Sequence, residues 1–385
     1  MDFSLSVAQR GFQAQLCAFL DEPDMAAQLE IATRLQHGNP PDPGPVYRRL
    51  GKRGWLAPNW PAAYGGEGLG LIEAALLAEE LCRRGVVDTM RVVTVDFVGL
   101  FLLLAATPAQ RERFLPPIAA GECYVCTMHS EPEVGSDLSG IATRALSVDG
   151  GYRLTGTKLY SLRTELCEYG LCTARLDGSE TNGPHGLTVF MVPLRAAGVR
   201  VTPMPGLADE PFGRVEMDGA FVPSDHVIGQ VGDGWRLLNA SLAIERTGLE
   251  QASKCRHWLD VVLARAERTG QLTDPRYAAQ FAALDAEVEA GRLMAWQLIA
   301  DLEAGRLDAV GAAMSKWYNS DIAGRIAALA LACDGLDGVL SAGATGIADG
   351  GFVEWLQREA PGMTISAGTA EIMLYVVAGA EVGRA

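Results

Sequence analysis

The chain is short of basic charge: 32 Lys and Arg stand against 47 Asp and Glu, for a net charge of −15. That deficit argues against a general nucleic-acid or anionic-membrane surface, so neither partner is expected. A nucleotide would need a local site of backbone amides and a few cations. Long apolar runs are also missing. The densest, Val98 to Ala106, is too short to cross a bilayer, and Asp96 interrupts it upstream. No cationic segment leads into an apolar stretch at the N-terminus, so no signal peptide is expected. The eight cysteines (17, 82, 123, 126, 167, 172, 255 and 333) are scattered, which reads as reduced thiols in the cytoplasm rather than a disulfide framework. Cys123 and Cys126 form a CxxC, but no second pair or well-placed histidine completes a zinc set, and no metal is expected. A dinucleotide fingerprint is absent as well, since the glycines at 65, 66, 68 and 70 follow a loop rather than a strand. There is no internal repeat and no low-complexity linker.

What remains is an ordinary folded composition of 385 residues, 49% apolar and 21% charged, long enough for more than one domain. Three textures follow one another. Residues 1–120 are helical, with Ile72 and Leu76, then Leu77 and Leu81, at i,i+4 after the Gly65-Gly66-Glu67-Gly68 break. From 121 to 231 the pattern is that of strands: Tyr152, Leu154 and Leu159 follow the Asp149-Gly150-Gly151 turn, and Leu187 to Val192 is a buried-strand run closed by Pro193. From 232 to 385 it is helical again, rich in Ala and Leu, with a breaker at Thr273-Asp274-Pro275. The order implies an α+β fold with a β domain between two helical ones.

Four segments carry candidate chemistry. On the helix after Gly234, Leu238, Leu242, Leu249 and Ala252 mark one stripe, and Glu245 falls in it, three after Leu242 and four before Leu249. A carboxylate on an apolar face loses solvation, which raises its pKa toward the range of a general base. A buried structural Glu paired with a distant cation satisfies the same pattern. The loop Ser130-Glu131-Pro132-Glu133-Val134-Gly135-Ser136-Asp137 offers hydroxyls and amides to a polar ring edge or a phosphate, or is a plain interdomain turn. Thr155-Gly156-Thr157-Lys158-Leu159-Tyr160-Ser161 ends a strand with an aromatic and a hydroxyl, a pair that covers a flat cofactor or simply joins the core. Thr369 after Ser366-Ala367-Gly368 is an N-cap; free amides beyond it would favour an anion, while simple capping by itself is the better explanation.

Taken in order, these segments resemble the acyl-CoA dehydrogenase family nearly end to end. Gly54-Trp55-Leu56-Ala57-Pro58 with Trp60-Pro61 and Tyr64-Gly65-Gly66 resembles its N-terminal signature, and Arg113-Phe114-Leu115-Pro116-Pro117-Ile118 before Gly121-Glu122 the entry to its β domain. Ser130-Glu131-Pro132 with Gly135-Ser136-Asp137 resembles its flavin loop. Val222-Pro223 with Gly229, Gly232 and Gly234-Trp235 resembles the passage to the C-terminal helices, and Ile244-Glu245-Arg246-Thr247-Gly248 the first of them in many bacterial members. The resemblance implies an N-terminal helical domain, a middle β-barrel or sandwich and a C-terminal four-helix bundle. It further implies bound FAD, an electron-transfer acceptor and a homo- or hetero-oligomer, dimer or tetramer.

The implied reaction is α,β-desaturation of an acyl thioester, a glutamate abstracting the α-proton while flavin N5 takes the β-hydride. Members carry that glutamate either in the C-terminal glycine-threonine loop or on the helix after the β domain. Ala367 occupies the first position here and Glu245 the second, which makes Glu245 the implied base. By the same resemblance Thr127, Ser130, Tyr160, Ser161, Thr369 and Glu371 would contact FAD, while Ser136 and Arg246 would serve the substrate.

Three positions depart from the family pattern. Leu162 stands where a hydroxyl near flavin N5 is usual, at a cost of about 0.5–1.5 kcal/mol if that bond is lost. The Phe-Gly segment whose arginine reaches a neighbouring subunit's FAD is not recognisable; Arg268-Thr269-Gly270 is out of register. Met373-Leu374 replaces a polar pair. A catalytically degenerate partner subunit, and oxidase or redox-neutral chemistry on the same scaffold, are therefore the alternatives to a dehydrogenase.

Overall fold

The computed structural model describes residues 3–34, 42–86, 89–178, 186–245, 247–345, 347 and 349–383; of 240–245, 349 and 381 it describes the backbone alone. Helices come first: α1 (Val7–Leu20), α2 (Pro23–Thr33), α3 (Gly44–Gly51), α4 (Leu71–Arg83) and α5 (Thr89–Arg91). A π-helical segment, Val92–Gly99, then runs into α6 (Leu100–Ala105), and α7 (Pro108–Ala119) closes the set. The strands are β1 (Val125–Met128), β2 (Arg144–Val148), β3 (Gly151–Leu162), β4 (Tyr169–Leu176), β5 (Leu187–Pro193), β6 (Val199–Pro205), β7 (Pro211–Pro223) and β8 (Val227–Ile228). Helices return as α8 (Gly234–Glu245), α9 (Leu249–Arg268), α10 (Pro275–Glu303), α11 (Ala309–Asp334), α12 (Phe352–Met363) and α13 (Ala370–Val382). None among the described residues is long and apolar enough to cross a membrane.

Two compact units result. One holds Met1–Val46, Leu69–Val87 and Ala243–Ala385; the other holds Tyr47–Gly68 and Asp88–Leu242. In the first, α9, α10, α11 and α12 share a core built on Trp258, Leu259, Val262, Leu284, Val288, Ile322, Ile326 and Leu356. The α4 helix begins where the sequence breaks, with Glu73 Oε2 accepting from the Gly70 amide at 3.1 Å, and it buries Leu76, Leu77 and Leu81. A buried charge joins it to α10: Glu79 accepts from Arg292 Nε at 2.8 Å and from the Trp296 indole at 2.6 Å.

In the second unit the strands form one mixed sheet, ordered β6-β7-β3-β2-β4-β5-β8. The free edge of β4 is shared end to end by β1 and β2, both parallel to it. Leu187 to Val192 is buried throughout, as a run apolar at every position but Thr188 requires of a central strand. Gln110, third in a capping box opened by Thr107, sends its amide to the Asp225 and Val227 carbonyls at 2.8 and 2.7 Å, which ties α7 to the β8 end of the sheet.

The Glu245 stripe is corrected by the backbone. The sequence spacing treats residues 238–252 as one helix, but α8 ends at Glu245 and α9 starts at Leu249. Gly248, at φ +78°, is the N-cap of α9, a left-handed conformation that stops a helix and suits glycine. Leu238, Leu249 and Ala252 are all buried, yet they lie on two helices rather than one stripe.

Candidate functional site

In the sheet unit the site residues cluster where β1 and β3 end. Pairing of β3 with β7 slips between Lys158 and Ser161: Lys158 faces Val215 but Ser161 faces Gly213, so β3 carries one extra residue. The bulge holds Tyr160 at φ +57°, a left-handed conformation that costs a non-glycine residue roughly 1–2 kcal/mol. Its effect is to turn Tyr160 outward, 63% exposed, with Phe212 edge-on at 6.2 Å, while Ser161 and Leu162 turn inward. Ser161 is wholly buried and its Oγ has no hydrogen-bond partner among the described residues.

The loop after β1 is fixed to this strand. Ser130 O accepts from the Leu159 amide at 2.9 Å, and Glu131 closes a small turn with Val134. Beneath it lies a buried ion pair, Lys158 Nζ to Glu131 Oε1 at 2.8 Å. The ammonium donates also to Thr173 O at 2.8 Å and to His129 O at 3.2 Å, which uses all three of its protons. The carboxylate accepts in addition from the Ala142 and Thr143 amides at 2.7 and 2.9 Å. Burial alone would raise the Glu131 carboxyl, but the charge of Lys158 and these bonds hold it below its ordinary value. Thr127 is half-buried at the end of β1, and Ser136 is exposed beyond the loop.

His129 sits inside the same loop. Its Nδ1 meets Thr173 Oγ1 at 3.1 Å, Phe97 packs edge-on at 6.0 Å, and Nε2 has no partner among the described residues. Burial, and then the charge of Lys158, push the imidazole down from 6.5 to about 3, so it is neutral at pH 7.

In the helical unit, Glu245 is the last residue of α8; its side chain, and Arg246 altogether, lie outside the described residues. Ala367, at φ +54°, stands in the turn between α12 and α13. Thr369 does cap α13: its Oγ1 accepts from the Ile372 amide at 3.3 Å and its carbonyl from Met373 N at 3.0 Å. Ala370 N is taken by Thr364 O at 2.8 Å. The Glu371 carboxylate is held below its ordinary range by its own backbone N–H and then by the Thr369 hydroxyl.

The chain matches the family description "Acyl-CoA dehydrogenase, N-terminal domain" over residues 6–122, the corresponding middle domain over 126–220 and the C-terminal domain over 232–381. Acyl-CoA dehydrogenase FadE29 of Mycobacterium tuberculosis is 30% identical over 275 residues, covering 70% of this chain and 69% of that protein. The chain belongs to the acyl-CoA dehydrogenase family. Acyl-CoA dehydrogenase FadE34 of the same organism is 34% identical over 234 residues, 58% of this chain, but the match spans only 32% of that longer protein. Among solved structures, the Tcur3481-Tcur3483 steroid ACAD superposes with a TM-score of 0.87 at 25% identity, over 100% of this chain and 99% of that one. The fold is thus that of the acyl-CoA dehydrogenases, a sheet domain between two helical domains, and the protein is an FAD-dependent oxidoreductase.

The residues present suit one end of that cofactor better than the other. An outward aromatic on a bulge, an edge strand (β1) paired on one side, and a loop anchored by a saturated ion pair make a preformed support for a flat ring. The α13 N-terminus is different: the amides that the sequence left for an anion go to Thr364, Thr369 and Glu371, and a carboxylate stands beside them. That terminus is capped rather than open to a pyrophosphate, a doubly negative group that Glu371 would repel.

Two residues that organise this loop, Lys158 and His129, are not singled out as sites by the sequence. Period-two alternation from Leu154 does place Lys158 on the buried face, a signal that a lysine there needs a partner. For His129 the sequence carries no comparable signal.

Both groups make the sheet unit acid-sensitive. His129 titrates lower in the folded chain than unfolded, so its contribution is present above 6.5 and lost as the pH falls toward 3. Glu131, with a depressed folded pKa, contributes above 4.5 and loses that contribution as the pH falls below it. The thermal midpoint should therefore drop between pH 6.5 and 4.5 as the buried histidines are forced to charge, opposed in part by Glu359, whose carboxyl burial raises above its ordinary value. His129→Leu should flatten that slope, leaving the smaller parts due to His226 and His257, both also lowered by burial. An unchanged slope in the variant would remove His129 from the account.

Proposed function

We propose that the protein desaturates an acyl thioester between its α and β carbons, with Glu245 as the base that takes the α-proton. The observation that carries this reading is the pair of alternative base positions. Ala367 has no proton-accepting group, whereas Glu245 closes α8 immediately before the turn into α9. When bound, FAD supplies the acceptor for the β-hydride. Thr127, Ser130 and Tyr160 are the residues offered to its ring, and Ser161, buried behind Tyr160, to the strand that presents it. Ser136 and Arg246 are offered to the thioester. A base and an acceptor must lie on opposite sides of one Cα–Cβ bond, so the chain's main contribution is positioning. The bulge at Tyr160 and the Lys158–Glu131 pair serve that end.

A bulky, ring-bearing acyl group is the substrate class that the steroid ACAD neighbour supports. We further propose assembly with other subunits and reoxidation by an electron-transfer protein. The purified protein, loaded with FAD, should be yellow and should bleach anaerobically with one member of a panel of linear, branched and ring-bearing acyl-CoA thioesters. A yellow protein that no thioester bleaches would sink the reading.

A second reading is favoured by the closed α13 terminus and by a neighbour whose name joins two chains: a partner subunit that completes the flavin site of an unlike homologue. It predicts a colourless protein alone and a yellow one on co-expression with that homologue.

A further inference from the structure

Helix α11 is an apolar helix with four fully buried polar residues, Ser315, Lys316, Asn319 and Ser320. Buried polar groups cost stability unless they are bonded, and apolar replacements of the same shape are often neutral, so their use calls for a purpose. Three of the four reach off the helix. Ser315 Oγ donates to Thr247 O at 2.8 Å, Lys316 Nζ to Met363 O at 2.9 Å, and Asn319 Nδ2 to Gly291 O at 3.3 Å. Among the described residues Ser320 Oγ bonds within the helix, to Lys316 O at 2.7 Å.

The first two targets are the turn that follows Glu245 and the end of α12 that leads to Ala367. Adjacent residues of one helix thus hold both segments on which the base can be carried. The contact at Thr247 is tight as well as bonded: a Cβ on Gly248 would collide with Ser315 Oγ, and the carbonyl carbon and Cβ of Ser315 lie just beyond. Around it the turn is closed by Leu249 N to Thr247 Oγ1 at 3.4 Å and Ala252 N to Gly248 O at 2.9 Å.

We propose that Ser315 is a positioning residue for Glu245, fixing through the Thr247 carbonyl the turn that sets where α8 ends. This rests on Glu245 being the base. Displacing a reacting group by about 1 Å can cost about 100-fold in rate without touching binding. The test compares Ser315→Ala, Ser315→Cys, Ser320→Ala and Glu245→Gln in FAD-loaded protein, using the panel thioester that the wild type oxidises fastest, together with amide hydrogen exchange. Ser315→Ala should lower kcat by about 10- to 100-fold with KM little changed. The Leu249 and Ala252 amides should exchange at least about tenfold faster, while bound flavin and thermal midpoint match those of Ser320→Ala. Ser315→Cys, near in volume and a weak donor, should fall between and covers the case in which the alanine variant does not fold. The proposal is overturned if the Ser315 variants match Ser320→Ala in kcat and exchange, or if kcat falls only in step with midpoint and flavin content. Should Glu245→Gln keep its turnover, the base assignment itself fails, whatever the Ser315 variants do.

Discussion

Glu245→Gln is expected to abolish anaerobic bleaching by a thioester, a loss of about 10²–10⁴-fold or more in reduction rate, while the protein stays yellow. The change keeps the shape of the side chain and its capacity to accept a hydrogen bond, but removes the basicity of the carboxylate. Ala367 offers no proton acceptor at the alternative position, so that position cannot take over. Glu245→Asp, which withdraws the carboxylate by one methylene, should fall between, because proton transfer depends on reach as well as basicity. FAD content and thermal midpoint are the controls. Turnover in Glu245→Gln within tenfold of the wild type would move the base elsewhere in the protein. A loss of colour together with rate would instead show that the substitution had disturbed the cofactor.

The sequence made the order of elements readable because periodicity needs only local information. The i,i+4 pairs in α4, the Gly-Gly turn before β3 and the apolar run of β5 each correspond to a described element. Three things escaped it, each for a physical reason. The break in the Glu245 helix turns on one backbone conformation, that of Gly248, and apolar spacing of four, seven and three continues across it as if nothing had happened. The bulge in β3 inverts the alternation: counting in twos from Leu154 puts Tyr160 inside, and only the extra residue opposite β7 turns it out. The occupied amides at α13 depend on Thr364, which lies in the previous turn and was not part of the cap motif. Glu371, which the resemblance assigns to FAD, has its carboxylate against its own backbone N–H.

Lys158→Met should destabilise the sheet unit by about 3–5 kcal/mol, the usual cost of stripping one partner from a buried ion pair. Methionine fills much the same volume as the lysine stem, so the loss is electrostatic rather than a cavity. Glu131, whose side chain is 5% exposed, would keep only the Ala142 and Thr143 amides. The His129 and Thr173 carbonyls would lose their donor at the same time. The effect should reach the cofactor, because Glu131 and His129 flank Ser130, and the loop they hold is the one proposed to meet the flavin ring. The variant is therefore expected to lose FAD on dilution before it unfolds, seen as rising flavin fluorescence below the urea midpoint. Adding Glu131→Gln removes the stranded charge while still accepting one amide bond. The double variant should recover part of the stability but not the geometry, since no cation then ties the loop to β3 and β4. A single variant within about 1 kcal/mol of the wild type would mean that the loop stands on its backbone bonds alone, and that the buried pair contributes no more than a surface one.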